Sequence, residues 1–341
     1  MLSLIGGSHR RTLGGRALAD GIQNETYAIS NSVGAENWKV RLLEGLSIRA
    51  ASLIVTIYGD IVVPRGGVLW MGTLIEVCVR FGISETHVRT AVSRLVGSGR
   101  LIGEREGRRS YYRLAEAAKE EFDTAARLLF QPVPDPEGWI MYQASHLEEE
   151  TIRQQHLGRI GENLYIRPNH AHLPLTMAIT FHCDLIQGQT EMVTLAPTLW
   201  PLAVYAEEYR DLIVRFGPVL DHLLTHPYAP EVDCVFVRLL LVHRYRHVLL
   251  ADPLLPTDVL PEDWPGRQAR DLFAQLYVIL SRRAERQIAD TFEGRYTRLP
   301  ETTSQARDRL DFLRCSSSPT AHQAGVVEKA QTVSETLNIT P

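Results

Sequence analysis

Little in this chain of 341 residues points toward export, a metal centre or covalent chemistry. Its four cysteines, Cys78, Cys183, Cys234 and Cys315, are far apart. None pairs at zinc spacing and they do not cluster as a disulfide framework, so a reducing cytoplasm is the expected compartment. Long apolar runs are missing as well. The most apolar stretch, 235–250, is broken by Arg238, His243, Arg244, Arg246 and His247, which rules it out as a membrane span. Near the N-terminus the apolar run at 2–5 precedes the basic residues Arg10, Arg11 and Arg16, the reverse of a secretory signal. No Ser-x-x-Lys, Gly-x-Ser-x-Gly or phosphate-loop pattern occurs, and no cofactor is called for. Two histidine pairs, His222/His226 and His243/His247, have the i, i+4 spacing of a helical zinc site. The residues after His222 and His243 are Leu223 and Arg244, where a zinc hydrolase would carry glutamate, and Arg244 would repel a cation. A metal-dependent hydrolase built on 222–247 is therefore the weaker alternative to a binding protein, and no catalytic residue is assigned.

What is present is a local reversal of charge. The chain carries a formal charge of -4, yet 80–113 holds eight arginines (80, 89, 94, 100, 105, 108, 109, 113) against three glutamates (85, 104, 106), a balance of +5. Basic charge concentrated on an acidic chain is the footprint of a phosphate-binding face. The same region reads as helix, helix, tight turn, helix and hairpin, the order of a winged helix-turn-helix. Apolar stripes predict helices over 48–58 and 68–81, with Gly59-Asp60 ending the first and Gly82 closing the second. Ser84 is placed to cap a third helix over 85–96, whose inward stripe is Val88, Val92 and Leu95. Its other face carries Thr86, His87, Arg89, Thr90, Ser93 and Arg94, side chains suited to groove edges and phosphates. Strands at 101–105 and 109–114, turning at 106–108, would form a wing bearing Arg105, Arg108 and Arg109. Tyr111 and Tyr112 alternate faces, one inward and one half-exposed. The DNA-contacting set read from this pattern is Ser84, Thr86, His87, Arg89, Thr90, Ser93, Arg94, Arg105, Arg108, Arg109 and Tyr111. A surface helix used for protein contacts, with a solvated charged turn, is the competing reading. Arginines on both helix and wing favour DNA.

A chain of this length divides into several domains. Residues 1–46, rich in Gly, Ser and Asn, read as a mobile arm with a short helix near 38–46, and 47–131 as the DNA-binding domain. Three prolines in 132–136 make a stiff linker. Apolar runs at 139–142, 163–166, 177–181 and 191–195 give 138–198 a small α+β character, and 199–298 reads as helical. Beyond 299 the composition turns to Ser, Thr, Gln and Ala, and 299–341 is expected to be a disordered tail.

Three groups of residues resemble the PaaX-type transcriptional regulators, repressors of phenylacetic-acid degradation operons. The first is Leu53-Ile-Val-Thr-Ile-Tyr-Gly-Asp60 with Arg65-Gly-Gly67 and Trp70-Met-Gly72. The second is Val88-Arg-Thr-Ala91, Arg94-Leu95 and Gly107-Arg-Arg-Ser-Tyr-Tyr112. The third is Leu239-Leu-Leu-Val-His-Arg-Tyr-Arg246 with Asp252-Pro-Leu-Leu-Pro256, Leu260-Pro261 and Trp264-Pro-Gly266. The resemblance spans about residues 50–290. It implies a multidomain α+β protein: an N-terminal winged helix-turn-helix, a small ferredoxin-like middle domain and a helical C-terminal domain. It also implies a homodimer on double-stranded operator DNA, released by phenylacetyl-CoA or a related aryl-CoA thioester. A CoA thioester needs cations, aromatic faces and an apolar slot together. Arg238, His243, Arg244, Arg246, Trp264 and Tyr277 are the effector-binding candidates. A buried helix whose arginines pair with Asp252, Glu262, Asp263 or Asp271 accounts for the same residues.

Overall fold

The computed structural model describes residues 37–170 and 179–316. The fold is mixed α/β, with two antiparallel sheets and a helical C-terminal half. The expected arm at 1–36 lies outside the described residues, while 37–43 are helical (α1).

Helix α2 (Ala50–Ile57) buries Leu53, Ile54 and Ile57. The expected stop at Gly59 does not occur there. The chain widens into a π-helical stretch, Tyr58–Val62, and then one 3-10 turn, Val63–Arg65, ending at left-handed Gly66. The region expected to be one helix over 68–81 is split. Val68–Trp70 is a strand (β1) and Met71–Val79 a helix (α3). Its first residues pair with β3 instead of coiling, because an extended Trp70 can meet Tyr111 across the sheet. Helix α4 (Glu85–Gly97) starts where Ser84 accepts from the His87 amide, and buries Val88, Ala91, Val92 and Leu95. Strands β2 (Leu101–Glu106) and β3 (Arg109–Leu114) form a hairpin whose closing pair is Glu106 and Arg109. That leaves Gly107-Arg108 as a two-residue turn, with φ of 58° at Gly107, a conformation glycine adopts freely. The sheet order is β1-β3-β2, and α5 (Lys119–Phe130) follows.

The second sheet contains β4 (Trp139–Gln143), β5 (Gly158–Gly161), β6 (Leu164–Pro168) and β7 (Ile179–Cys183) in the order β5-β6-β4-β7. Short α6 (Glu149–Gln154) crosses from β4 to β5. Three of the four apolar runs read from the sequence are strands. The fourth lies within helix α7 (Gln189–Leu199), and β5 gave no apolar signal.

Helices α8 (Leu202–Thr225), α9 (Cys234–Leu249) and α10 (Gly266–Thr291) form the C-terminal half. Thirteen of the sixteen α9 residues are buried, as expected of a helix apolar all round. One apolar core runs without interruption from α2–α5 through α8–α10, so α9 packs on α2 and α5 as well as on its own neighbours. Residues 304–316, expected to be frayed, include helix α11 (Ser304–Ser316). Few apolar residues are needed to hold it: Leu313 enters the core and Arg309 is buried against the π-helical stretch.

Candidate nucleic-acid interface

The outward face of α4 is the one its sequence suggested. Thr86, His87, Arg89, Thr90, Ser93 and Arg94 are all exposed, and Ser84 is exposed at the cap. Arg89 donates to Glu85 one turn back at 2.7 Å. The Arg94 side chain makes no hydrogen bond or ion pair among the described residues.

A shallow groove separates α4 from the hairpin, lined by Arg89 and Ser93 on one side and Arg105, Ser110 and Tyr112 on the other. Gly103 makes the groove possible: a Cβ there would stand 2.8 Å from the Tyr112 ring. Arg105 donates to the Gly107 carbonyl at 3.1 Å and steadies the turn. Arg108, at the tip, has no partner among the described residues. Arg109 stacks over the Trp70 ring at 4.5 Å and pairs with Glu293 at 2.7 Å. The Trp70 ring in turn lies across Gly72, where any Cβ would collide with it at 2.3 Å. The Trp-Met-Gly sequence is thus a platform for an arginine of the hairpin. Tyr111 corrects the predicted contact set. It is the inward tyrosine of the pair, buried at 6% exposure, and Tyr112 is the half-buried one.

Counting charge along 80–113 overstates the patch, because acids from elsewhere fold onto it. Arg80 pairs with Asp233, Arg100 with Glu121 and Arg109 with Glu293. In return, Arg295 reaches the hairpin and pairs with both of its acids, Glu104, which Arg113 also meets, and Glu106. The turn at 293–298 carries this contact. Its backbone also accepts from the Trp70 amide at 2.9 Å, and the Glu293 amide donates to Thr73 at 3.2 Å. Glu293 and Arg295 gave no signal in the sequence, since their roles depend on a contact across nearly 190 positions. The cations left free to meet a polyanion are Arg94 and Arg108, with Arg89 and Arg105 held only locally.

The six effector candidates do not share one site. Arg238 is fully buried between Asp60 at 3.0 Å and Glu285 at 2.6 Å, and Tyr277 donates to Asp60 at 2.8 Å. Burial works against the Arg238 charge, but the surrounding Asp60, Tyr277 and Glu285 outweigh it and raise its pKa. Arg65 pairs with Glu285 and caps the Ile61 carbonyl, while Arg309 donates to the Gly59 carbonyl at 3.0 Å. The π-helical stretch presents those carbonyls, and the network ties α2, α9, α10 and α11 together. His243 lies 3.0 Å from Thr56 in the α2–α9 contact, and burial pushes its pKa down to about 3. The Thr56 hydroxyl is also within hydrogen-bonding reach of the Ser52 carbonyl, at 3.1 Å. Arg244 pairs with Glu208 at 2.8 Å and with Asp211 at 3.2 Å, none of the acids read from the sequence. Trp264 stands edge-on to Tyr209. Arg246 borders a cavity between α2, α5 and α9, while Arg244 borders a more open groove with Glu207, Glu208 and Asp211. The histidines at 222 and 226 stack on each other, and His222 pairs with Glu231 at 2.6 Å.

Residues 49–118 match the family described as PaaX-like protein, and residues 200–290 match the PaaX-like protein C-terminal domain. The two matched segments lie in order along the chain and are similar to the two parts of PaaX-like proteins. The transcriptional repressor PaaX of Escherichia coli K12 is 29% identical over 259 residues, covering 69% of this chain and 81% of that protein. A solved structure, the uncharacterized protein Rv0674 from Mycobacterium tuberculosis, is 23% identical with a TM-score of 0.37, covering 63% of this chain and 89% of its own. The first PaaX-like match takes in α2, α3, α4 and the whole hairpin, hence every arginine of the groove. The second takes in α8, α9 and nearly all of α10. The four-stranded sheet lies between the two PaaX-like segments.

Proposed function

We propose that this PaaX-like protein is a transcriptional repressor of aromatic catabolism, binding operator DNA as a homodimer and released by phenylacetyl-CoA or a related aryl-CoA thioester. It acts in the cytoplasm and is not an enzyme. On this reading α3, α4 and the hairpin are a winged helix-turn-helix. The middle sheet is ferredoxin-like, a layout its strand order supports, although α7 follows the last strand instead of preceding it. The single observation that carries the proposal is the exposed, hydroxyl- and arginine-bearing face of α4 beside an arginine-tipped hairpin, in a chain related to a repressor. Thr86, Thr90 and Ser93 suit base edges. Arg89 and Arg94 suit either guanine or phosphate, and Arg105, Arg108 and Arg109 suit the flanking backbone or minor groove. Ser84 and His87 lie at the helix start, where amide groups favour phosphate.

The test is fluorescence anisotropy on a promoter fragment from a phenylacetate-degradation operon of the same organism, at stated salt. Tight sequence-specific binding, released by phenylacetyl-CoA and not by free phenylacetate, is the expected result. Absence of specific binding would refute the repressor reading, and binding indifferent to the thioester would refute the effector.

A further inference from the structure

One cavity stands apart from the groove. It encloses about 480 Å³ between α2, α5 and α9, with one edge on the second sheet's unit. That is within the range of small-molecule sites. Its walls are apolar: Val55, Phe122, Ala125, Leu129, Val242 and Leu249. Polar groups break the apolar lining. Asp60 is taken up by Arg238 and Tyr277, and Thr56 by Ser52 and His243. Asp252 is occupied by the Tyr209 hydroxyl and the Leu254 amide, each at 2.8 Å. His156 lies half-buried at the domain junction, and desolvation lowers its pKa to about 4, which keeps the ring neutral. Arg246 is different. Its Nη2 makes two long contacts to Ser52, at 3.3 and 3.4 Å, and its buried Nε has no protein partner. A guanidinium so weakly satisfied beside apolar walls is primed for one oxygen acceptor. Glu120 and Glu121 also border the cavity, so a polyphosphate head would be repelled there.

We propose that this cavity is a ligand site for the arylacyl end of a carboxylic acid or its thioester, the ring lying between α5 and α9 and the acyl oxygen accepting from Arg246. The inference rests on the effector reading above and gives it a location that excludes Arg238, Arg244 and Tyr277. A head carrying several phosphates stays outside the cavity. The site is placed to govern the α4 groove, because α2 packs on α4 and α5 continues directly from the hairpin. A ring wedged against α5 alters the support of both.

The experiment is isothermal titration of the full chain with phenylacetate and with phenylacetyl-CoA, using wild type, Arg246→Met and Ala125→Phe. Operator affinity without ligand is read on the same samples, and thermal melts check folding. Wild type is expected to bind, Arg246→Met to bind about tenfold more weakly, and Ala125→Phe to lose binding because its ring fills the slot. Binding of the free acid but not the thioester would keep the cavity and overturn the CoA effector. Equal binding by wild type and both variants would overturn the cavity and leave the effector standing. No binding of either probe to wild type would overturn the inference, while operator affinity would still report on the repressor reading. If Ala125→Phe fails to fold, Arg246→Met decides alone.

Discussion

Two arginines at neighbouring positions of one turn have different work to do. Arg108 stands free at the hairpin tip, whereas Arg109 is stacked on Trp70 and paired with Glu293. Arg108→Ala should therefore weaken binding to all DNA sequences alike and reduce the salt slope of affinity by about one, with thermal stability unchanged. Anisotropy at several salt concentrations checks this, and a changed sequence preference at constant slope would contradict it. In the interior the logic runs the other way. Arg238 bridges two carboxylates, so Arg238→Met leaves buried Asp60 without a cation and Glu285 with Arg65 alone. A loss of about 3–5 kcal/mol in urea unfolding is expected, the cost of breaking a buried pair.

At the scale of elements, α9 makes the protein sensitive to acid. His243 is buried neutral, with a pKa near 3 against an ordinary 6.5, so its contribution is complete above pH 6.5 and drains away as pH falls toward 3. His156, lowered to about 4, acts with the same sign. Asp252 acts oppositely: burial raises it to about 6, so its contribution is full below about 3.8 and is lost as pH rises through 6. Two histidines outweigh one aspartate. Stability is expected to fall between pH 7 and pH 5, less steeply in His243→Gln and more steeply in Asp252→Asn, as read by denaturant midpoints. Of these groups only His243 sits on a helix, α9, which was legible because it is apolar almost throughout, whereas the amphipathic helices were legible from their periods. α4 in particular showed its cap, its inward stripe and its polar face. The π-helical stretch was not legible, since Gly59 and Asp60 read as a stop, and the Gly59 carbonyl finds its side-chain donor, Arg309, 250 positions away, while Arg65 serves Ile61 from the next turn. Likewise β1 was absorbed into the following helix, because three residues have no period of their own and take their shape from pairing with β3.

The molecule as a whole departs furthest from what the sequence suggested. A proline-rich linker implied a reading domain tethered to a separate helical one, yet one core joins them. Local patterns cannot show this, because it depends on α9 being apolar on the side that meets α2 as well as on the others. A fragment ending at residue 131 should accordingly expose the α2 and α5 faces that α9 now covers, and fail to give a cooperative melt by circular dichroism, while the full chain melts with the two halves together. Removing 304–316 should lower the melting temperature of the full chain, since Arg309 and Leu313 would no longer close the π-helical stretch and the core.

The turn at 293–298 ends at the back of the hairpin and completes this joining, through Trp70, Thr73, Glu104, Glu106 and Arg109. Its consequence is evolutionary as much as mechanical. In regulators whose reading heads swing on a tether, recombination can exchange heads between lineages and create new specificities in one step. Here a head from another protein would arrive without a seat for Glu293 and Arg295 or a surface for α9. If α4 reads operators as proposed, new ones must instead be reached by point changes on its exposed face, one side chain at a time.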